Sequence, residues 1–171
     1  MSLIKNIIIF IIIFTLSPNQ LSAQELKKVG KYKDWETWII YDTNGKVCFA
    51  KSSPMIQTPK SKKREANLFV TFRPEENISN EVSVTPGYEF NNKNSVIASS
   101  GKNKFEFDMK DQGFAWISEN KIEVKMINRM KKGSRIMIIG YNQNGSQRID
   151  QYSLLGFTKA YNASKKACTL K

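Results

Sequence analysis

From Trp35 onward the chain alternates between short runs of β-branched and aromatic residues and clusters of Asn, Asp, Gly and Pro. Runs of that length with period-two spacing predict strands. Trp35 to Tyr41 and Lys46 to Ser52 flank Asp42-Thr43-Asn44-Gly45, and Asn-Gly between two such runs predicts a tight hairpin. Ala66 to Arg73 puts Leu68, Val70 and Phe72 on one face, and Pro74 stops it. Asn80 to Thr85 does the same with Val82 and Val84. Ser95 to Ser99, Lys104 to Met109, Arg135 to Ile139 and Gln147 to Leu154 are further expected strands, and a turn is expected at Asn144-Gly145. Ser53 to Glu65 holds two prolines and four basic residues and reads as an exposed loop.

Glu119 to Lys132 breaks the period. Ile122, Met126, Ile127 and Met130 fall on one stripe of a helix. Ser118 or Asn120 is placed to cap its start, Lys131 and Lys132 complement its C-terminal dipole, and Gly133 is placed to end it. Phe157 to Lys166 predicts a short final helix. The fold class that follows is mainly β: a β-sandwich with one mid-chain helix and a short C-terminal helix. Trp35 and Trp38 are three apart, so on a strand they face opposite sides. One belongs to the core and the other is available to stack on a sugar ring or insert into a partner.

The N-terminus has a different pattern. Lys5, an apolar run from Ile7 to Leu16, Pro18 and the small residues of Leu21-Ser22-Ala23 have the three-part layout of a secretory signal peptide. The run is about half the roughly 20 residues a membrane-spanning helix needs. The expected organisation is a signal peptide at 1–23, a flexible polar lead-in at 24–33, and one β-sandwich domain at 34–171. No stable membrane span remains after cleavage, and the destination is the periplasm, the cell surface or the medium.

Export gives the two cysteines a meaning. Cys48 and Cys168 form an even pair in an oxidising compartment, which reads as one disulfide. The alternative is a reactive thiol, but neither a CxxC spacing nor a histidine accompanies it. The chain has no histidine at all, which removes Ser-His-Asp and Cys-His catalysis and every histidine-containing zinc site. No metal, no cofactor and no catalytic residue is expected.

Cleavage removes Lys5 alone among the charged residues, taking the net charge from +12 to +11. Of the 27 basic residues only Arg64, Arg73, Arg129, Arg135 and Arg148 are arginine. A lysine-dominated surface suits diffuse attraction to anionic material better than base reading, and export argues against a nucleic-acid partner. The expected anionic-surface contacts are Lys60, Lys62, Lys63 and Arg64 in the basic loop, with Lys131 and Lys132 at the helix end. Glu75-Glu76 resembles a paired carboxylate, but adjacent residues after Pro74 point in different directions.

Several stretches occur in an order of their own: Trp35, Val47-Cys48-Phe49-Ala50, Arg73-Pro74, Asn80-Glu81-Val82-Ser83-Val84 and Gly87-Tyr88. Ala115-Trp116, Met130-Lys131-Lys132-Gly133, Asp150-Gln151-Tyr152-Ser153-Leu154, Gly156-Phe157 and Ala167-Cys168 follow. Together they resemble the invasion-associated locus B family of alphaproteobacteria, from about residue 33 to 168. The resemblance implies a small exported β-sandwich with no catalytic motif to carry over, of a type associated in pathogens with entry into host cells. The leading expectation is a non-enzymatic envelope protein that binds an unknown protein or an anionic envelope component through its surface. The rivals are an enzyme acting on envelope polysaccharide through carboxylates alone, and a structural or chaperone-like envelope component. A buried, close carboxylate pair in a groove would favour the enzyme.

Overall fold

The Asn44-Gly45 signal makes the turn it predicts. Gly45 has a φ of +125°, the Asn44 N–H donates to Asp42 Oδ1 at 2.8 Å, and the flanking strands pair antiparallel with Trp38 opposite Phe49. The computed structural model describes residues 25–60 and 63–169. The signal peptide expected at 1–23 and Lys62 of the basic loop lie outside the described residues. Within them, no helix is long and apolar enough to cross a membrane.

Strands β1 (Lys27–Tyr32), β2 (Trp35–Asp42), β3 (Gly45–Ser52), β4 (Ile56–Thr58), β5 (Asn67–Arg73) and β6 (Ile78–Thr85) come first. Then follow β7 (Val96–Ser100), β8 (Asn103–Phe107), β9 (Met109–Asp111), β10 (Phe114–Trp116), α1 (Asn120–Lys132), β11 (Arg135–Tyr141), β12 (Gln147–Ser153) and α2 (Phe157–Thr169). They form a seven-stranded sheet in the order β1-β2-β3-β5-β6-β10-β9 and a five-stranded sheet in the order β4-β12-β11-β7-β8. The paired strands are antiparallel. This is the expected mainly β sandwich with its mid-chain and C-terminal helices.

One hydrophobic cluster fills the interior. Trp35, Leu68, Val70, Val82 and Val84 come from the larger sheet, Ala98, Phe107, Ile136 and Tyr152 from the smaller, and Met126, Ile127, Met130 and Phe157 from the helices. Trp35 is fully buried, packs on Phe157 with ring centroids 4.8 Å apart, and donates its indole N–H to the Ser153 carbonyl at 2.8 Å. Its one polar atom is therefore satisfied, which burial in an apolar site requires. Helix α2 covers the inner face of β2, β3 and β5 beside the second sheet. Thr37 Oγ1 donates to the Ala160 carbonyl there, and Phe72 meets Tyr161 edge-on at 5.5 Å.

Four local expectations are corrected. Ser53 to Glu65, read as an exposed loop, contains β4, which pairs with β12 at the edge of the smaller sheet. The lead-in expected to be loose contains β1, whose mostly exposed lysine-rich side chains are compatible with an edge strand, the place where lysine is favoured. Its turn is fixed by Lys33 at φ +57° and by Gly156 at φ +91°, which abuts the Tyr32 carbonyl so closely that a Cβ there would lie 1.7 Å from the oxygen. The run Lys104 to Met109 is two strands, because the chain leaves the smaller sheet at Asp108 and enters the larger as β9. Asp108 holds that crossover by accepting both the N–H and the hydroxyl of Ser118. Ser118 is thus engaged away from the helix, and Glu119 occupies the N-cap without a side-chain bond. Gly133 does end α1, in extended rather than left-handed geometry; a Cβ there would crowd Leu154 Cδ1 at 3.0 Å.

Candidate functional site

Alternation along a strand gives each sheet two faces, and the outer face of the larger sheet carries apolar side chains as well as polar ones. In β3, Cys48 and Ala50 point inward while Val47 and Phe49 point outward; in β5, Leu68 and Val70 point inward while Phe69 points outward. β10 buries Ala115 and turns Phe114 and Trp116 out. The outward set lines an open groove of about 560 Å³ across β2, β3, β5, β6, β10 and β9. Phe69 stands at its centre, edge-on to Phe49 at 5.9 Å and tilted 35° to Phe114 at 6.4 Å. Between the rings lie Thr71 and Ser83, and Arg73 donates to Glu81 at 2.8 Å. Asp42 and Asp111 lie among the lining residues on β2 and β9. Phe114 and Met109 on the β9–β10 hairpin are 42% and 45% exposed.

Beyond the groove, Trp38 occupies the same outer face, with Lys28 and Lys51 over its ring at 5.5 and 5.4 Å. Glu36 receives hydrogen bonds from Lys28 and from the Trp38 indole, and the Lys28 bond foremost holds its carboxyl below the usual value. Trp35 faces in and Trp38 out, as their spacing predicts.

The expected disulfide is present: the sulfurs of Cys48 and Cys168 are bonded at 2.08 Å with Cα atoms 5.7 Å apart. It ties the last turn of α2 to β3.

The basic run divides. Lys60 and Lys63 are exposed after β4. Arg64 is not the surface contact expected of it: its guanidinium forms a two-pronged pair with Asp150 at 2.6 and 3.0 Å and donates to the Pro86 carbonyl at 2.8 Å. It also lies over the Tyr88 ring at 5.3 Å, while its main chain is held by the Gln57 side chain. Asp150 is almost fully buried on β12, so the arginine is recruited inward to neutralise it. Burial, with Asp150 adding to it, pushes the Tyr88 phenol up to about 12. At the end of α1, Lys131 lies 3.9 Å above the Tyr161 ring; burial and then Lys165 lower its pKa. Lys132 is exposed. Among the described residues the expected basic contacts fall in two places, Lys60, Lys63 and Arg64 between β4 and β5 and Lys131 and Lys132 at the end of α1, and Arg64 serves structure.

The carboxylates form no close buried pair among the described residues. Glu75 and Glu76 occupy an exposed single turn after β5. Glu123 is buried, with its pKa raised by that burial, and accepts the Val82 N–H at 2.7 Å and an Asn120 amide N–H at 3.1 Å. It takes the place of a strand neighbour where β10 has ended. No group of three or more Cys, Asp or Glu side chains able to hold a metal occurs among the described residues.

The groove is the feature the sequence reading missed. Its signal was a large ring on the face opposite the core set: Phe69 opposite Leu68 and Val70, and Phe49 opposite Cys48 and Ala50. Comparison with known proteins bears on the fold and family. No curated protein matches the sequence. A solved structure, invasion associated protein B from Bartonella henselae, aligns with a TM-score of 0.59 over 84% of this chain and 99% of its own, at 13% identity, so the likeness is one of fold. The Invasion associated locus B (IalB) protein family matches residues 35–165, which run from the buried Trp35 through both sheets and into α2. By that match the chain belongs to the invasion associated locus B family.

Proposed function

We propose that this protein is exported to the periplasm or cell surface and works there by binding a partner, without catalysis, through the aromatic groove of its larger sheet. The observation that carries the reading is Phe69, with Phe49, Phe114 and Trp116 around it, on the solvent side of a sheet whose other side already holds the core. Large rings fixed on a rigid sheet bury much area at little entropic cost when a partner covers them. The layout of residues 1–23 and a disulfide suited to an oxidising compartment support export. A carboxylate enzyme would need two nearby acids free to exchange protons; in the groove Glu81 is paired with Arg73. Lys60, Lys62, Lys63 and Lys132 add a diffuse attraction to anionic envelope surfaces. In a pathogen the partner would lie on a host cell, and in a free-living bacterium within the envelope.

Two measurements test this. Mass spectrometry of the protein from its native envelope should find Gln24, or its pyroglutamate, as the N-terminus; an intact Met1 on a membrane-retained chain would overturn export. Crosslinking in intact envelopes should capture a stoichiometric partner with the wild type and lose it in Phe69→Thr and Phe114→Thr, both at partly exposed positions where threonine keeps the strand. Equal capture by these variants would remove the groove from the reading.

A further inference from the structure

The charges along the groove run against those of the chain. The protein carries a net +12, yet Asp42, Glu81 and Asp111 line the groove against Arg73 alone, a local balance of −2. Arg73 is already committed to Glu81 at 2.8 Å, which leaves Asp42 and Asp111 as the acidic ends. They stand on opposite flanks: Asp42 ends β2, Asp111 ends β9, and β3, β5, β6 and β10 lie between. Five strand spacings separate them across the sheet, about 24 Å, and the register sets Asp42 level with Gly45 on β3 but Asp111 level with Asn67 on β5, about eight residues further along, so they stand at diagonal corners of this face. Between them lie the rings of Phe49, Phe69, Phe114 and Trp116 and the Arg73–Glu81 pair.

The chemistry of the occupant follows from these features. An anionic lipid or acidic polysaccharide would set its charge against both flanks. A neutral sugar stacks on a flat ring, and here the central rings meet at 69° and 35°, giving a corrugated trough instead of a platform. Branched and aromatic side chains fill such a trough. We infer that the groove takes a segment of a partner protein that is apolar in its middle and carries lysine or arginine at both ends. The diagonal is about 35 Å and an extended chain rises about 3.3 Å per residue, so about eleven residues reach from one carboxylate to the other. Alternate side chains then face the rings. The inference rests on the groove being the binding face and adds the class of partner.

The test uses the disulfide-bonded protein and two capped, labelled peptides, Lys-Thr-Phe-Thr-Leu-Thr-Phe-Thr-Leu-Thr-Lys, whose lysines share a face with its apolar residues, and its twin with Glu at both ends. Binding is followed by anisotropy, with amide shifts of the β5 and β10 residues to locate it. Each exposed ion pair contributes about threefold, so the cationic peptide should bind about tenfold tighter than the acidic one. The preference should shrink as salt rises and vanish in Asp42→Asn/Asp111→Asn. Both peptides should be lost in Phe69→Thr. Equal affinity of the two peptides for the wild type, with loss in Phe69→Thr, would overturn the inference and leave the groove standing. So would binding of neither peptide while Phe69→Thr still abolishes partner capture in envelopes, or self-association that Phe69→Thr abolishes, which would make a second copy the occupant. If neither the peptides nor the captured partner responds to Phe69→Thr, the inference and the groove fall together.

Discussion

Replacing Arg64 by methionine keeps the length of the side chain and removes its charge, leaving Asp150 on β12 without the two bonds at 2.6 and 3.0 Å that neutralise it. Asp150 has only 5% of its side chain exposed and Arg64 14%, so solvent cannot take over the pairing. Removing one member of such a pair costs about 3–5 kcal/mol, because a buried carboxylate must stay charged without a partner or take up a proton. The Pro86 carbonyl loses its donor and Tyr88 loses the cation above its ring. For a domain of this size, where each kcal/mol lowers the melting temperature by about 2–4 °C, Arg64→Met should melt about 10–15 °C below the wild type. Arg64→Met/Asp150→Leu should recover most of that loss, since an apolar pair needs no compensation. Lys60→Glu and Lys63→Glu, at exposed neighbours in the same loop, should change stability by less than about 0.5 kcal/mol. Calorimetry at neutral pH measures all four. An Arg64→Met protein melting within about 3 °C of the wild type, or a double variant no better than the single, would show that the pair does not close the loop onto the second sheet.

Reducing the Cys48–Cys168 bond, which joins residues 120 apart, should cost about 5 kcal/mol in the chain-entropy model and lower the melting temperature accordingly; two titratable thiols in the native protein would contradict the bonded form. Glu123 has a pKa raised by burial above the ordinary 4.5, so its contribution favours folding when it is protonated at low pH and is lost as pH rises through the folded value. Glu123→Gln should therefore gain stability relative to the wild type between pH 4 and pH 7 in urea titrations; a gap that does not change with pH would refute this. Gly156→Ala should disrupt the junction of β1 with the β12–α2 loop, seen as loss of amide protection in Lys27–Tyr32, because its Cβ has no room beside the Tyr32 carbonyl. If the basic surface acts on the envelope, cosedimentation with anionic vesicles should weaken with salt and in Lys60→Glu/Lys63→Glu; equal binding to neutral vesicles would leave these lysines as solvated loop.

The strands legible in the sequence were those with one apolar and one polar face, such as β6 with Val82 and Val84, or those with a turn signal at one end, such as β2 and β3 around Asn44-Gly45. Helix α1 was legible because Met126, Ile127 and Met130 needed a period of 3.6 to share a face. β1 was hidden because an edge strand needs only one neighbour and no apolar face, and its stabilising contact comes from Gly156, far along the chain. β4, β9 and β10 have three residues each, too short for any period to register. Arg64 looked like its neighbours Lys60 and Lys63 because nothing local distinguishes it; the difference is Asp150, 86 positions away. The groove escaped because it needs rings from β3, β5 and β10 side by side; alternation alone sets Phe69 opposite Leu68 and Val70, but only the strand order brings it beside Phe49 and Phe114.

The disulfide and the groove share a strand. Cys48 lies between Val47 and Phe49, so the sulfur bonds inward to α2 while the two neighbours line the groove on the outer side. Helix α2 also holds β2 through the Thr37 hydroxyl and β5 through Tyr161 against Phe72. The inner face is thus fixed by a covalent bond, a buried hydrogen bond and an aromatic contact, each beneath a strand that presents a groove residue. Rings exposed on a sheet face risk collapse onto one another or pairing with another chain, and a rigid sheet prevents the first. The lysine-rich edge at β1 discourages the second. The disulfide therefore does more than stabilise the domain: by locking β3 from behind, it holds the outer face of the sheet in one shape.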